Sequence, residues 1–362
     1  MSKLLFRNVN RSIAYGNVIL SNINIEVNSG EILVSTGLLG SGKSAVLKVV
    51  AGLENISNGD ILLDNVKIDN MPPDKRRIET IIACQKLYPK MSVYENLIYS
   101  MRLKKVDKGL LGERIAKYAK ILDFENILQE KAEDISEVDT QKVLLAKAAV
   151  REPKAILMID QFESIKKELV KPYIDLLLEF NKRTDFIIIV STTNVEAIKL
   201  LNKRTILLKE GVIIQMDNAE KILEKPLSRH AAQYFLYDIS FVKGTILKID
   251  EEIAVKFLNT EFILPRPEGT NISRLEKNIG KEVDIMLRCE NIALSQKGEA
   301  EAIAAKVVER ADNNVINIEC GNDQLKIQVD NAEKFKVDKK IYIKIKMEDV
   351  RIFDRDVQKL IV

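Results

Sequence analysis

The sequence predicts an α/β domain with a mostly parallel sheet, followed by a separate all-β domain. Three observations carry this. Over the first two thirds of the chain, short apolar strand-like runs alternate with helical stretches. A glycine-rich loop at residues 37–44 joins one of those runs to a helix. Beyond about residue 236 the texture changes to short β-rich segments between turn residues: GTILKI, EIAVKFL, EVDIMLRC, NVINIEC, QLKIQV and KIYIKIKM. The domains are expected at 1–235 and 236–362, the second as a small barrel or a pair of them.

Taken in order, the first 50 residues read as two strands, a turn and a helix. Residues 19–27 alternate apolar and polar, and Asn28-Ser29-Gly30 is a turn signal. A short buried strand at 31–36 runs into Gly37. From Ser44 onward, Val46, Leu47, Val49 and Val50 suit a helix packed on a sheet. Residues from about 90 to 150 form a helical region with Lys/Glu faces around Leu, Ile and Ala. Strands follow at 155–159 and 186–190, with a helix between them.

Composition narrows the function classes. The chain has 362 residues, with 56 Lys+Arg against 53 Asp+Glu, a net charge of +3. A balance so close to neutral gives no argument for a nucleic-acid partner. Cys84, Cys289 and Cys320 are too far apart for a zinc site and odd in number for a disulfide framework, which points to a reducing cytosol. The longest apolar runs fall far short of the roughly 18 residues a membrane span needs. The first residues carry no cleavable signal pattern, so a soluble cytoplasmic chain is expected.

Gly37-Leu38-Leu39-Gly40-Ser41-Gly42-Lys43-Ser44 satisfies G-x-x-x-x-G-K-[ST] at every fixed position and lies between a buried strand and a helix. In such a loop backbone N–H groups, here from Gly37 through Ala45, wrap phosphates at the positive end of the helix. Lys43 reaches the terminal phosphates, and the Ser44 hydroxyl is a ligand for Mg²⁺. The Asn-Lys pairs at 181–182 and 202–203 lack the Asp of a guanine-reading N-K-x-D, which favours ATP. The cofactors expected are ATP and Mg²⁺, on an α/β P-loop fold.

With these residues in hand, the whole chain resembles ATP-binding subunits of ABC importers, of the type that energises sugar and glycerol-phosphate uptake. The resembling segments occur in the family's order. They are Ala14-Tyr15-Gly16-Asn17-Val18, MPPDKRRI (71–78), LYPKMSVYENL (87–97), VREPKAIL (150–157) and IKMEDVRIFDRDVQKLI (345–361). The resemblance implies an ABC-type nucleotide-binding domain with a helical subdomain at about 90–150, then an OB-like domain that supports dimerisation and regulation. It implies that the Tyr15 ring stacks on adenine and that Asp160 holds Mg²⁺. It also implies membrane permease subunits as partners, a homodimer or a heterodimer with a related ATP-binding subunit, and a place on the inner face of the cell membrane. A carbohydrate-type solute is expected.

The departures from that family are as informative as the matches. Its Leu-Ser-Gly-Gly-Gln signature corresponds to Ile135-Ser136-Glu137-Val138-Asp139, and no glycine lies between Gly112 and Gly211 to restore it. At about 5 Å and an effective dielectric near 20, each of Glu137 and Asp139 facing a phosphate costs up to ~3 kcal/mol per unit-charge pair. Gln161 stands where the family has its catalytic Glu, followed by Phe162 in place of proline. A register shifted by one would make Asp160 that Glu's equivalent and leave Mg²⁺ without its carboxylate; either way the acidic pair is broken. Thr192, with Thr193 beside it, stands at the switch histidine, and the only histidine is His230. Ala83 takes the place of the coupling-loop Gln, with Gln85 nearby, and Lys167 replaces the dimer-contact Asp. ATP binding with little or no hydrolysis is therefore expected. Two other readings stay open: an active transport ATPase using Gln161 or Glu163, and a non-transport module switched by ATP.

Overall fold

The computed structural model describes residues 2–362 except 14–15, 84, 104–106, 266–271, 300–301, 312–313 and 348–349. The chain divides into two compact units, Met1–Glu224 and Lys225–Val362.

The first unit holds two sheets. One has the order β2-β1-β4-β5, with β1 Lys3–Ser12, β2 Val18–Asn28, β4 Asn58–Leu63 and β5 Val66–Lys67, all antiparallel. The other has the order β10-β9-β3-β8-β7-β6. Its strands β3 Ile32–Thr36, β6 Ile78–Ile82, β7 Ala155–Ile159, β8 Ile187–Ser191 and β9 Arg204–Lys209 run parallel, and β10 Val212–Asn218 closes the edge antiparallel. Strands β3, β7 and β8 are buried along their whole length, as expected of parallel strands covered on both faces.

Helix α1, Lys43–Ala51, lies between the two sheets, so Ala45, Val46, Leu47, Val49 and Val50 are all buried. A broad apolar surface is what a helix sandwiched between sheets needs, and Lys48, which pairs with Glu54 at 3.5 Å, marks its one solvent-facing strip. The helical region resolves into α2 Val93–Leu103, α3 Lys108–Ile121 and α4 Glu137–Ala149. After β7 come α5 Lys167–Arg183, α6 Val195–Leu201 and, beyond the last two strands, α7 Ala219–Glu224.

The N-terminal strand β1 escaped the sequence reading for a physical reason. Its pairing with β2 slips between Phe6 and Val9, where Asn8 has φ 46° and faces a strand in which Asn22 has φ 50°. Such bulges switch which face successive side chains point to, and the period-2 pattern is lost. The asparagines hold the irregularity: Asn24 Oδ1 accepts from Asn8 N–H and Asn10 Oδ1 from Asn22 N–H, both at 2.9 Å.

The second unit is all-β apart from α8 Arg229–Phe235, α9 Ile272–Glu276 and short turns of 3₁₀ helix. One antiparallel sheet contains β11 Ile239–Ile249, β12 Glu252–Phe257, β13 Thr260–Ile263, β14 Glu282–Arg288 and β20 Arg351–Asp354. The other contains β15 Ile292–Ser295, β16 Ile303–Arg310, β17 Val315–Cys320, β18 Asp323–Gln328 and β19 Lys340–Ile345. Five antiparallel strands per sheet is the strand number of an OB-like barrel, and both sheets bury side chains in one shared core that includes Val242, Ile285, Ile318 and Ile343. The division falls at 224/225, ahead of the boundary expected near 236. Helix α8 packs Ala232 on Met286 and Phe353, and Arg229 stacks over the Phe241 ring at 4.6 Å while pairing with Asp284.

Candidate nucleotide site

The site begins where β3 ends. Two of the loop glycines are required by close approach. At Gly37, φ is +145° and a Cβ would stand 2.4 Å from Leu208 O; at Gly42, φ is +98° and a Cβ would stand 2.8 Å from Ile19 O. The loop is pinned from both sides, with Gly211 N–H donating to Ser41 O at 2.9 Å and Ser35 Oγ donating to Lys43 O at 3.1 Å. Leu39 stands at the tip, 95% exposed, with Leu38 half-exposed beside it. The Ser41 hydroxyl is buried with no hydrogen-bond partner. A buried orphan donor inside a phosphate-type loop fits an anionic ligand.

Strand β7 delivers Asp160 to this loop, in a left-handed conformation with φ 52° that turns the chain sharply out of the sheet. Its carboxylate draws three donors to one oxygen: Lys43 Nζ, Ser44 Oγ and Ser191 Oγ each lie 3.0 Å from Oδ1. Ser191, at the end of β8, also accepts Asp160 N–H at 3.1 Å. The sequence reading passed over Ser191, which lay unmarked inside the segment VSTTNVEA. Ser44 Oγ and the Asp160 carboxylate are adjacent hard oxygen donors, and such donors fit Mg²⁺.

The other expected residues are arranged differently. Gln161 is only 3% exposed, and its Nε2 donates to Gln141 Oε1 of α4 at 2.9 Å, leaving its own Oε1 buried and without a partner. Its carboxamide is therefore tied to the helical region rather than presented beside Lys43. Thr192 is fully buried; its N–H donates to Ser35 O at 3.1 Å and its Oγ1 accepts from Asn194 N–H at 3.0 Å. It acts as a local backbone brace. Glu163 reaches the next residue instead, with Oε1 accepting from Thr193 N–H at 2.6 Å and from Thr193 Oγ1 at 3.1 Å. Gln85 folds back, its Oε1 accepting from Ile82 N–H at 3.4 Å. Lys167 is exposed in the first turn of α5. Tyr15 lies outside the described residues.

At the start of α4 the signature segment closes upon itself. Ser136 is the N-cap; its Oγ accepts from Asp139 N–H at 3.1 Å and donates to Asp139 Oδ2 at 2.7 Å. Asp139 also pairs with Lys142 at 3.1 Å, and Glu137 pairs with Lys166 at 2.7 Å. The Lys166 ammonium is held above its usual pKa by the Glu137 hydrogen bond. This is ordinary helix capping, in which the Ser136 oxygen takes the Asp139 N–H at the helix end and the Ser136 hydroxyl turns onto the chain's own Asp139 carboxylate.

One supporting residue had no signal in the sequence beyond its place in DKRRI. Arg76 is buried, and its guanidinium donates to Val49 O at 2.7 Å, Val50 O at 3.0 Å, Asp69 O at 2.7 Å and Met71 O at 2.7 Å. It caps the last turn of α1, the helix that carries Lys43, with a charge suited to that end.

Residues 20–161, from β2 to Gln161, match the family model described as ABC transporter. Over the full length of both chains the protein is 27% identical to an uncharacterized ABC transporter ATP-binding protein, YurJ, of Bacillus subtilis. It is also 27% identical to the spermidine/putrescine import ATP-binding protein PotA of Vibrio parahaemolyticus, over 82% of this chain and 77% of that one. Among solved structures, cbiO1 of Clostridium perfringens, part of the ABC transporter complex cbiONQ, superposes with a TM-score of 0.56 at 24% identity, over 61% of this chain and 90% of that one. The ADP conformation of the ATP-binding cassette MJ1267 gives a TM-score of 0.56 at 20% identity, over 65% of this chain and 99% of that one. The first unit thus has the P-loop fold of ATP-binding cassettes, and its residues 20–161 match the ABC transporter family model.

Proposed function

We propose that this chain is the ATP-binding subunit of an ABC importer, and that it holds ATP–Mg²⁺ without turning it over at a useful rate. The observation that carries this reading is the contrast within one short segment. Asp160 gathers Lys43 and Ser44 at 3.0 Å, while the next side chain, Gln161, is buried against Gln141. A carboxamide cannot take a proton from water, and loss of a general base typically costs ~10²- to 10⁴-fold in rate. Glu163 is a poor substitute, because one of its oxygens already accepts two hydrogen bonds from Thr193.

Within this proposal Tyr15 stacks on adenine, the loop from Gly37 to Ala45 wraps the phosphates, and Ser44 and Asp160 hold Mg²⁺. The capped start of α4 makes the chain a weak second half for another subunit's nucleotide. A partner with an intact signature would complete the phosphate loop of this chain better than a second copy would. The subunit works on the cytoplasmic face, docked on permease subunits; no helix among the described residues is long and apolar enough to cross a membrane. The PotA relatives are named for spermidine and putrescine, but the segments resembling sugar importers run on to residue 361, and a carbohydrate-type solute is proposed.

The test is purification of the tagged full chain from detergent-solubilised membranes of its own organism. Permease subunits at a fixed ratio to the chain are the expected result. Recovery free of any integral membrane protein would contradict the importer reading and favour a soluble module switched by ATP.

A further inference from the structure

A cleft of about 490 Å³ lies in the C-terminal unit, lined by β11, β12 and the start of β14 on one sheet, and by β16 and the β17–β18 turn on the other. That volume falls within the range of small-molecule sites. Strand β18 runs alongside β11: Ser240 Oγ accepts from Lys326 N–H at 2.9 Å, and Lys326 Nζ donates to Tyr237 O at 2.8 Å. Three residues further on each strand, in opposite directions, stand Lys243 and Asp323, both on the cleft wall.

These two opposite charges feel one another but do not close into an ion pair, and among the described residues neither side chain has a hydrogen-bond partner. Their neighbours in the cleft differ. Lys256 pairs with Glu261 at 3.0 Å, and Glu282 pairs with Arg355. Burial pushes the Asp323 carboxyl above its usual pKa, with Lys243 opposing the shift. The carboxylate has therefore lost hydration without gaining a direct donor in return.

A simple anion would be drawn by Lys243 and repelled by Asp323, and a simple cation the reverse. A ligand carrying both charges satisfies both walls. Thr245 and Asn322 add neutral polar groups beside them, over a floor that includes the buried Phe257 and Cys320. We propose that this cleft is a binding site for a small zwitterion of the amino-acid class, its carboxylate held by Lys243 and its ammonium by Asp323. Such a site makes the C-terminal unit a metabolite sensor separate from the nucleotide site.

The experiment is calorimetric titration of the full chain with each of the common L-amino acids, with acetate and methylammonium as single-charge probes. At least one amino acid is expected to bind saturably, and Lys243→Met and Asp323→Asn are each expected to weaken it tenfold or more. Acetate and methylammonium are expected to bind at least tenfold more weakly, and Lys43→Ala to leave the binding unchanged. Both substituted side chains lie at the cleft surface; if the melting temperature of one variant falls, the other decides. The proposal is overturned if no amino acid binds, if binding survives in a folded variant, if a single-charge probe binds as tightly, or if Lys43→Ala abolishes it.

Discussion

Lys43→Ala is expected to weaken ATP–Mg²⁺ binding by about a hundredfold or more. The reason lies in what the ammonium does at the loop. It is the one cation at the Asp160 cluster, its side chain only 10% exposed, and it sits 3.0 Å from Asp160 Oδ1. An ammonium that meets a bound phosphate forms a charge pair across a binding interface; truncating one partner of such a pair costs about 2–5 kcal/mol, and every ~1.4 kcal/mol is tenfold in affinity. The substitution also leaves the Asp160 carboxylate without its counter-charge, facing incoming phosphates. Titration with a fluorescent ATP analogue measures the effect. Lys43→Arg should recover only part of it, because a planar fork does not fit where a compact ammonium does.

Arg76→Ala is expected to lower the stability of the N-terminal unit by about 3–5 kcal/mol, among the larger effects a single substitution produces. Four backbone carbonyls lose a charged donor at once, two of them, Val49 and Val50, at the end of α1. Val49 O keeps the Gly52 N–H at 3.3 Å, and each of the other carbonyls left unpaired costs roughly 1–3 kcal/mol before relaxation and water entry reduce the sum. For a unit of this size the loss corresponds to roughly 10 °C in melting temperature. Thermal unfolding followed by circular dichroism measures it, read on the transition of the first unit. Arg76→Lys keeps the charge but not the fork and should recover less than half. Because α1 carries Lys43 and Ser44, both variants should also weaken nucleotide binding, while melting of the C-terminal unit stays unchanged.

What could be read from the chain alone followed the range of the interactions. The phosphate loop was legible because its chemistry is contiguous: eight residues, with a strand before and a helix after. Strand β7 and Asp160 were legible because a fully buried parallel strand is one apolar run ending in a charge. The all-β character of the second unit showed in its repeated short alternating segments. Strand β1 was hidden by the bulges at Asn8 and Asn22. Strands β4 and β6 were hidden because residues 58–82 mix glycine, Asp-Asn and Pro-Pro turns with runs of only five or six residues.

The site divides the same way. Residues joined within one loop could be read from the chain, whereas contacts made across the fold could not. Gln141 meets Gln161 from twenty residues away, and Ser191 meets Asp160 from thirty-one. Nothing in the local pattern of either segment marks the pairing. The question of where Glu137 and Asp139 point was also one of three-dimensional placement: Asp139 turns onto Ser136, and Glu137 onto Lys166. The absence of glycine from 135–139 was visible in sequence, but the cap that Ser136 and Asp139 form there was not.

This chain is proposed to bind ATP–Mg²⁺ and to leave it uncleaved. Phosphate release, measured on the same purified sample in which ATP binding has been titrated, with Lys43→Ala alongside, tests this proposal most directly. Saturable ATP binding is expected in the wild type, with phosphate release no faster than in Lys43→Ala. Phosphate release that depends on Lys43 would contradict the proposal.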